Sequence, residues 1–74
     1  MIETYYTNTK AASWLLGIGQ AALYKRIREG RTEWLKFGGM YMIPLKEIAK
    51  ELRITQKNLI KKMLGEELPI WRCK

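Results

Sequence analysis

The sequence contains no histidine, no aspartate, one serine and one cysteine, and these absences limit the chemistry it can support. A Ser–His–Asp or Cys–His site lacks its base. A structural zinc site takes about four Cys or His ligands, and Cys73 is the only residue of either kind. Gly38 and Gly39 lack the spacing of a phosphate-binding loop. We therefore expect a protein that is not an enzyme, with no catalytic residues, no metal and no cofactor.

Long apolar runs are also missing. No segment approaches the ~18 residues that span a membrane, and the first residues lack the charged-then-apolar pattern of a secretory signal. The basic residues are spread over several short elements instead of lining one amphipathic helix, which disfavours a membrane-surface role. We expect a cytoplasmic protein with no membrane partner.

Negative charge is scarce. The 74 residues include 14 Lys and Arg against 7 acidic residues, which gives a net charge of +7. Such an excess on a small domain favours a polyanionic partner, above all nucleic acid. A chain of this length forms one domain with a thin core, because it buries only ~60% of its unfolded surface.

Residues 12–30 predict two short helices joined by a tight turn. The first helix spans about residues 9–16 after a cap at Thr7 or Asn8, and residues 17–19 form the turn. The second runs from Gln20 to about residue 29, where Gly30 ends it. Leu23 and Ile27 form its apolar stripe, and the other face carries polar and basic residues. A helix of this kind fits the DNA major groove, although a basic face is also typical of ordinary solvated surface.

Two strands, at residues 34–37 and 41–43, flank the glycine pair and predict a hairpin. A two-residue turn pairs Phe37 with Met40, whereas a three-residue loop pairs Phe37 with Tyr41 and stacks apolar residues on one face. We expect the three-residue loop. Helices at residues 45–52 and 56–64 follow, the second capped by Thr55 and stopped by Gly65. We expect residues 1–7 to be a lead-in, residues 66–74 an anchored tail with a frayed end, and the three tryptophans to lie in the core.

An internal repeat appears when the chain is shifted by 36 residues. The turn residues Ile18-Gly19-Gln20 then lie over Ile54-Thr55-Gln56, and Leu23 lies over Leu59. This is the pattern of two helix-turn-helix units, although a coincidence between two common helix pairs gives the same match. If the repeat is real, the last helix carries a second groove-facing surface; the same basic residues also suit phosphate contacts or a solvated face.

Residues 7–52 resemble the excisionase-like winged-helix family, related to the DNA-binding heads of MerR-type regulators. The resemblance rests on Ala-Ser-Trp-Leu-Leu-Gly-Ile-Gly, on Leu-Tyr-Lys-Arg-Ile-Arg-Glu-Gly and on Lys-Phe-Gly-Gly-Met-Tyr-Met-Ile-Pro. It implies an accessory factor of site-specific recombination that binds and bends double-stranded DNA without cutting it. Family wings carry Arg where Gly39, Met40 or Met42 stands here, so we expect this wing to make backbone or apolar contacts.

The expected fold is mainly α with a small β-hairpin, as one domain over residues 1–74. Residues 9–44 form a winged helix-turn-helix, and residues 45–74 form a helix pair and tail that are a candidate second helix-turn-helix. The candidate DNA contacts are Gln20, Ala21, Tyr24, Lys25 and Arg28 on the second helix, Gly39, Met40 and Tyr41 in the hairpin, and Gln56, Lys57, Asn58 and Lys61 on the last helix.

Other functions stay open at this stage. A small transcriptional regulator or plasmid-maintenance DNA binder fits the same residues as an excisionase of a mobile element. The second helix pair could also be a structural brace or a surface for self-association on DNA. In a different class, the apolar segment from Leu68 to Trp71 could dock on an integrase or replication protein, with the charge serving solubility.

Overall fold

The computed structural model describes residues 4–72 in full and Cys73 by its backbone alone. The predicted lead-in begins with residues 1–3 and the predicted frayed end includes Lys74. These residues and the Cys73 thiol lie outside the described residues. Eight elements follow one another along the chain: β1 (Thr4–Asn8), α1 (Thr9–Leu16), α2 (Gln20–Arg28), β2 (Leu35–Phe37), β3 (Met40–Pro44), α3 (Leu45–Leu52), α4 (Gln56–Gly65) and β4 (Trp71–Cys73).

The fold is mixed α/β, with four helices and one four-stranded antiparallel sheet in the order β2-β3-β1-β4. The expected hairpin is present, but it is half of a larger sheet. The positions of all four helices agree with the sequence-based prediction to within about one residue. The prediction missed β1 and β4 because each is a short segment near an end of the chain, whose pairing is decided by contacts distant in sequence.

Both ends of the chain contribute to the sheet. β1 lies at its centre and pairs with β3, and β4 pairs with the other side of β1, where Tyr6 lies opposite Trp71. These residues form strands instead of the predicted lead-in and tail, whereas the predicted anchoring of the tail is confirmed, because Leu68 and Ile70 pack on the core. The Thr7 hydroxyl donates to the Pro69 carbonyl at 2.7 Å, which fixes the segment before β4 against β1.

The register of the β2–β3 hairpin is the one that the sequence analysis did not prefer. Phe37 is opposite Met40 and Leu35 is opposite Met42, so the turn has two residues. Gly38 and Gly39 have φ values of 56° and 85°. Positive φ at both central positions belongs to the tight hairpin turns that match strand twist, and two successive glycines adopt it without steric cost.

Side-chain caps begin two of the helices. The Asn8 side chain accepts from the Ala11 N–H at 2.8 Å at the start of α1, and Thr55 Oγ1 accepts from the Asn58 N–H at 3.1 Å at the start of α4. Both caps were predicted. The prediction that Gly65 stops α4 is wrong, because Gly65 is its last helical residue and the left-handed residue that follows is Glu67, at φ 56°.

The core lies between the helices and one face of the sheet. Its fully buried members come from both halves of the chain. The largest of them are Leu23, Ile43, Leu45, Ile48, Leu59 and Met63. The tryptophans are not core residues: Trp14, Trp34 and Trp71 are 55%, 45% and 41% exposed. A core of this size has room for aliphatic side chains between short helices, and the wide indoles lie at its margins.

Each element of the first half has a counterpart 36 residues later. β1 corresponds to β3, α1 to α3, α2 to α4 and β2 to β4. The strand pairing follows the same rule. Leu35 of β2 pairs with Met42 of β3, and at the equivalent positions Trp71 of β4 pairs with Tyr6 of β1. The turn hydrogen bonds also repeat: the Ile18 N–H donates to the Ser13 carbonyl and the Ile54 N–H to the Ala49 carbonyl, both at 3.0 Å. The 36-residue repeat is therefore a property of the whole fold.

An approximate twofold axis relates the two halves. It passes between Thr7 and Ile43, which are Cα partners at the middle of the β1–β3 pair and are both completely buried. Near this axis α1 packs on α3, and both cover β1 and β3. On the two flanks α2 packs on α1 and α4 packs on α3. The helices thus form a layer in the order α2-α1-α3-α4.

Candidate nucleic-acid interface

Positive charge is concentrated on the two flanking helices. Helix α2 has three basic residues and no acidic residue, and α4 has the same balance. The central helix α3 has two lysines and two glutamates. Other glutamates lie in the connections after α2 and α4. The excess charge of the chain is therefore exposed mainly on α2 and α4.

Helix α2 places its apolar and polar residues on opposite sides. Leu23 and Ile27 are buried against the core. Successive residues of a helix are rotated by about 100°, so Lys25 lies on the side opposite Leu23. The predicted contact residues Gln20, Ala21, Lys25 and Arg28 are all exposed, and we call them the α2 surface. These four side chains are free to reach a ligand.

Tyr24, the fifth predicted contact on α2, has a packing role in addition. Its ring meets the Tyr41 ring edge-on, with centroids 5.8 Å apart, and its hydroxyl is 3.2 Å from Thr9 Oγ1. Trp34 packs edge-on against the same Tyr41 at 5.1 Å. Edge-to-face aromatic pairs of this kind contribute ~0.5–1.5 kcal/mol beyond area burial. This cluster fixes the position of α2 against the hairpin, while Tyr24 stays 38% exposed at its edge.

Arg26, which the sequence places off the contact face, is engaged within the protein. Its Nη1 lies 2.7 and 2.9 Å from the two carboxylate oxygens of Glu51 on α3. This ion pair connects α2 to the other half of the chain. Arg26 is therefore not available as a free contact in this arrangement.

The hairpin tip and α2 border a shared groove of about 350 Å³. Four predicted contacts, Tyr24, Gly39, Met40 and Tyr41, line it together with residues at the start of α1: Asn8, Thr9 and Lys10. Lys10 is exposed at the rim and adds a positive charge there. The sequence analysis missed Thr9 and Lys10, because only the β1–β3 pairing brings the start of α1 to the hairpin tip.

The predicted contacts on α4 lie on the opposite flank. Lys57, Asn58 and Lys61 are exposed and Gln56 is partly exposed, and we call these four residues the α4 surface. Leu59 and Met63 are buried on the inner side of the helix. The structure does not bring these residues next to the α2 surface; it places them at the position related to it by the approximate twofold axis.

A second surface that the sequence analysis missed is the sheet face turned away from the helices, the outer sheet face. Phe37 is 71% exposed there and Leu35, Met40 and Trp71 are also exposed. Leu35, Phe37 and Trp71 line a small apolar cavity of about 110 Å³ together with Tyr6, Arg72 and the buried Met42. The sequence signal for this surface is the two-residue hairpin turn, because that turn puts Leu35, Phe37, Met40 and Met42 on the same face of the sheet.

Searches of protein-family models, of curated proteins and of solved structures found no match to this chain. In the described part of the chain, no helix has the length and apolarity to cross a bilayer. Among the side chains that the structure describes, residues 4–72, no three glutamates form a group that could hold a metal ion.

Proposed function

We propose that this protein binds double-stranded DNA sequence-specifically, as a winged helix-turn-helix with α2 in the major groove and the β2–β3 tip on the adjacent backbone or minor groove. The observation that carries the proposal is an exposed basic face on α2, with no acidic residue on that helix, beside an open groove bordered by the hairpin tip. An exposed helix of this kind can present side chains to base edges while its lysines and arginines contact phosphates.

Each residue has a distinct expected role. Lys25 and Arg28 are exposed and positively charged, so they are suited to phosphate contacts or bidentate contacts to guanine. Gln20 and Ala21, at the first turn of α2, are suited to adenine edges and thymine methyls. Gly39 and Met40 give a hairpin tip without charge, which favours close backbone or apolar contact over an arginine inserted in the minor groove.

The biological setting that we propose is an excisionase-like accessory factor of a mobile element, which acts by shaping DNA for a recombinase. A small transcriptional regulator or plasmid-maintenance DNA binder uses the same contacts and is the alternative. Genes that neighbour its own distinguish them: an adjacent integrase gene supports the first, and an adjacent operon with the binding site in its promoter supports the second.

The test is a binding titration against fragments of the protein's own locus and against random DNA, at two salt concentrations. We expect tight binding to a local fragment with a log–log salt slope near −5, the value for about six phosphate contacts. Arg28→Ala should weaken specific binding by roughly 1–3 kcal/mol if Arg28 contacts a base. Lys50→Ala, which removes an exposed charge from α3, is the matched control. Equal weak binding to every fragment would contradict the proposal.

A protein-interaction adaptor is the second candidate, and the outer sheet face favours it. Most of the segment from Leu68 to Trp71, which the sequence offers for docking, is engaged within the protein: Leu68 and Ile70 pack on the core, and the Pro69 carbonyl accepts from Thr7. An apolar face with a phenylalanine 71% exposed is a more suitable contact for an integrase or replication protein. Phe37→Ser should then abolish binding to the recombinase encoded at the same locus while DNA binding persists.

A further inference from the structure

The two flanking helices share exposed residues that core packing does not require. Leu23 and Leu59 are identical because both fill the core. Gln20 and Gln56, at the start of α2 and α4, occupy equivalent positions at the surface, and so do Lys25 and Lys61. Lys10 and Lys46 form a third exposed pair, in the first turns of α1 and α3. Identity at these positions points to a shared surface function of the two halves.

The α2 and α4 surfaces lie on different flanks of the molecule. Leu23 and Ile27 are buried in the core, so Lys25 lies on the exposed side of α2. Leu59 and Met63 place Lys61 on the exposed side of α4 in the same way. Because α2 packs on α1, α1 on α3 and α3 on α4, the two central helices separate the α2 surface from the α4 surface.

The dimensions of the protein exclude the usual way in which paired helix-turn-helix units share one duplex. Two recognition helices that enter successive major grooves on one side of B-DNA lie about 34 Å apart. The Cα atoms of this chain span 27 × 26 × 20 Å, and both helix axes lie within that envelope. The two surfaces are therefore too close together to occupy adjacent half-sites on one straight duplex.

We propose that a single chain carries two DNA-contacting surfaces and bridges two duplex segments, one on the α2 surface and one on the α4 surface. This inference rests on the proposed function, since it takes the α2 surface to be a DNA contact. The protein lies between the two duplexes in this arrangement, and its net charge of +7 offsets the repulsion between the two polyanions. A protein of this kind holds a DNA loop or a pair of recombination sites together without forming a dimer.

The experiment measures bridging directly. One duplex from the locus is fixed to beads, a second labelled duplex is offered in solution, and the captured label is measured as a function of protein concentration. Two variants each remove one surface: Lys25→Ala with Arg28→Ala on α2, and Lys57→Ala with Lys61→Ala on α4. Arg31→Ala with Lys50→Ala removes the same charge elsewhere and is the control. Circular dichroism establishes that all variants are folded.

We expect the wild type and the control to capture the second duplex, and each surface variant to bind one duplex while losing capture of the second to background. A mixture of the two surface variants should also fail, because bridging within one chain needs both surfaces on the same molecule. Recovery of capture by the mixture would overturn the proposal and indicate bridging by a dimer. Unchanged capture by the α4 variant would overturn it too.

The proposed function can fail separately. If the wild type binds local DNA specifically but never captures a second duplex, the bridging proposal is wrong and the proposed function stands. If no fragment of the locus is bound above random DNA, the proposed function is wrong and the bridging proposal is overturned with it. A Phe37→Ser variant, which disrupts the outer sheet face, should bridge like the wild type.

Discussion

The two halves of this chain, residues 4–37 and residues 40–73, have the same backbone arrangement but reach it with different side chains. In the first half Tyr24 and Trp34 pack around Tyr41. The positions equivalent to Tyr24 and Trp34, 36 residues later, are Ile60 and Ile70, and the position equivalent to Tyr41, 36 residues earlier, is Tyr5. All three belong to the partly buried residues packed on the core. The arrangement of elements thus tolerates an exchange of aromatic for aliphatic residues.

The halves differ again where they meet. Arg26 of α2 binds Glu51 of α3, while the equivalent positions are Lys62 and Leu15, which cannot form an ion pair. One flanking helix therefore has a side-chain ion pair with the opposite half, and the other flanking helix lacks the residues for an equivalent pair. The comparison teaches that the repeat is specified by a few buried positions and by the turns, and we expect substitutions at those positions to act equally in both halves.

The largest effect is expected at the identical buried pair. Leu23→Ala and Leu59→Ala should each lower the free energy of unfolding by ~2–5 kcal/mol, because each side chain is fully buried and its removal leaves a cavity. Denaturant titration measures both values, and Leu64→Ala, at a position 64% exposed, is the control with little effect. A large loss at one leucine and a small loss at the other would contradict the equivalence of the halves.

Smaller effects on stability, of opposite sign, are expected at the turn after α1 and at the equivalent turn after α3. Gly17 has φ 71° and Arg53 has φ 59°, so both positions are left-handed and only one has glycine. Gly17→Ala should lower the free energy of unfolding by ~1–2 kcal/mol, because a residue with a Cβ is strained in the left-handed region. No further clash is expected, since a Cβ at Gly17 meets nothing within 4 Å. Arg53→Gly should stabilise the protein, by less than that, because glycine also raises the entropy of the unfolded chain. Thermal unfolding of both variants decides the signs; a destabilising Arg53→Gly would show that the arginine side chain has a role of its own.

The smallest effects are expected at the caps of α2 and α4. Thr55 caps α4 through its side chain, whereas Gly19 occupies the equivalent place with nearly the same backbone angles and no side-chain cap. Thr55→Ala should cost ~1 kcal/mol and Thr55→Gly only a few tenths. Gly19→Ser should add a few tenths of stability by supplying the missing acceptor. If Gly19→Ser destabilises the protein instead, the two turns are not interchangeable.

The helices and their turns could be predicted from the sequence because their signals are local. An apolar residue at every third or fourth position, a capping Asn8 or Thr55 and a glycine after the last turn each act within a few residues. The helical part of the repeat was visible for the same reason. The exposed face of α2 was also predictable, since the buried positions Leu23 and Ile27 fix which side of the helix is exposed.

The tertiary structure alone decided the sheet and everything that depends on it. β1 and β4 are short segments that become strands because each completes a ladder with residues distant in sequence, and pairing energy of that kind has no local signature. The hairpin register was ambiguous because both turn lengths gave an apolar face, and the structure has the two-residue turn, whose two central positions are glycines at positive φ. The sequence by itself therefore determined the charge, the four helices and the helix faces. The twofold arrangement, the outer sheet face and the separate positions of the two basic surfaces follow from long-range strand pairing, which only the folded chain fixes.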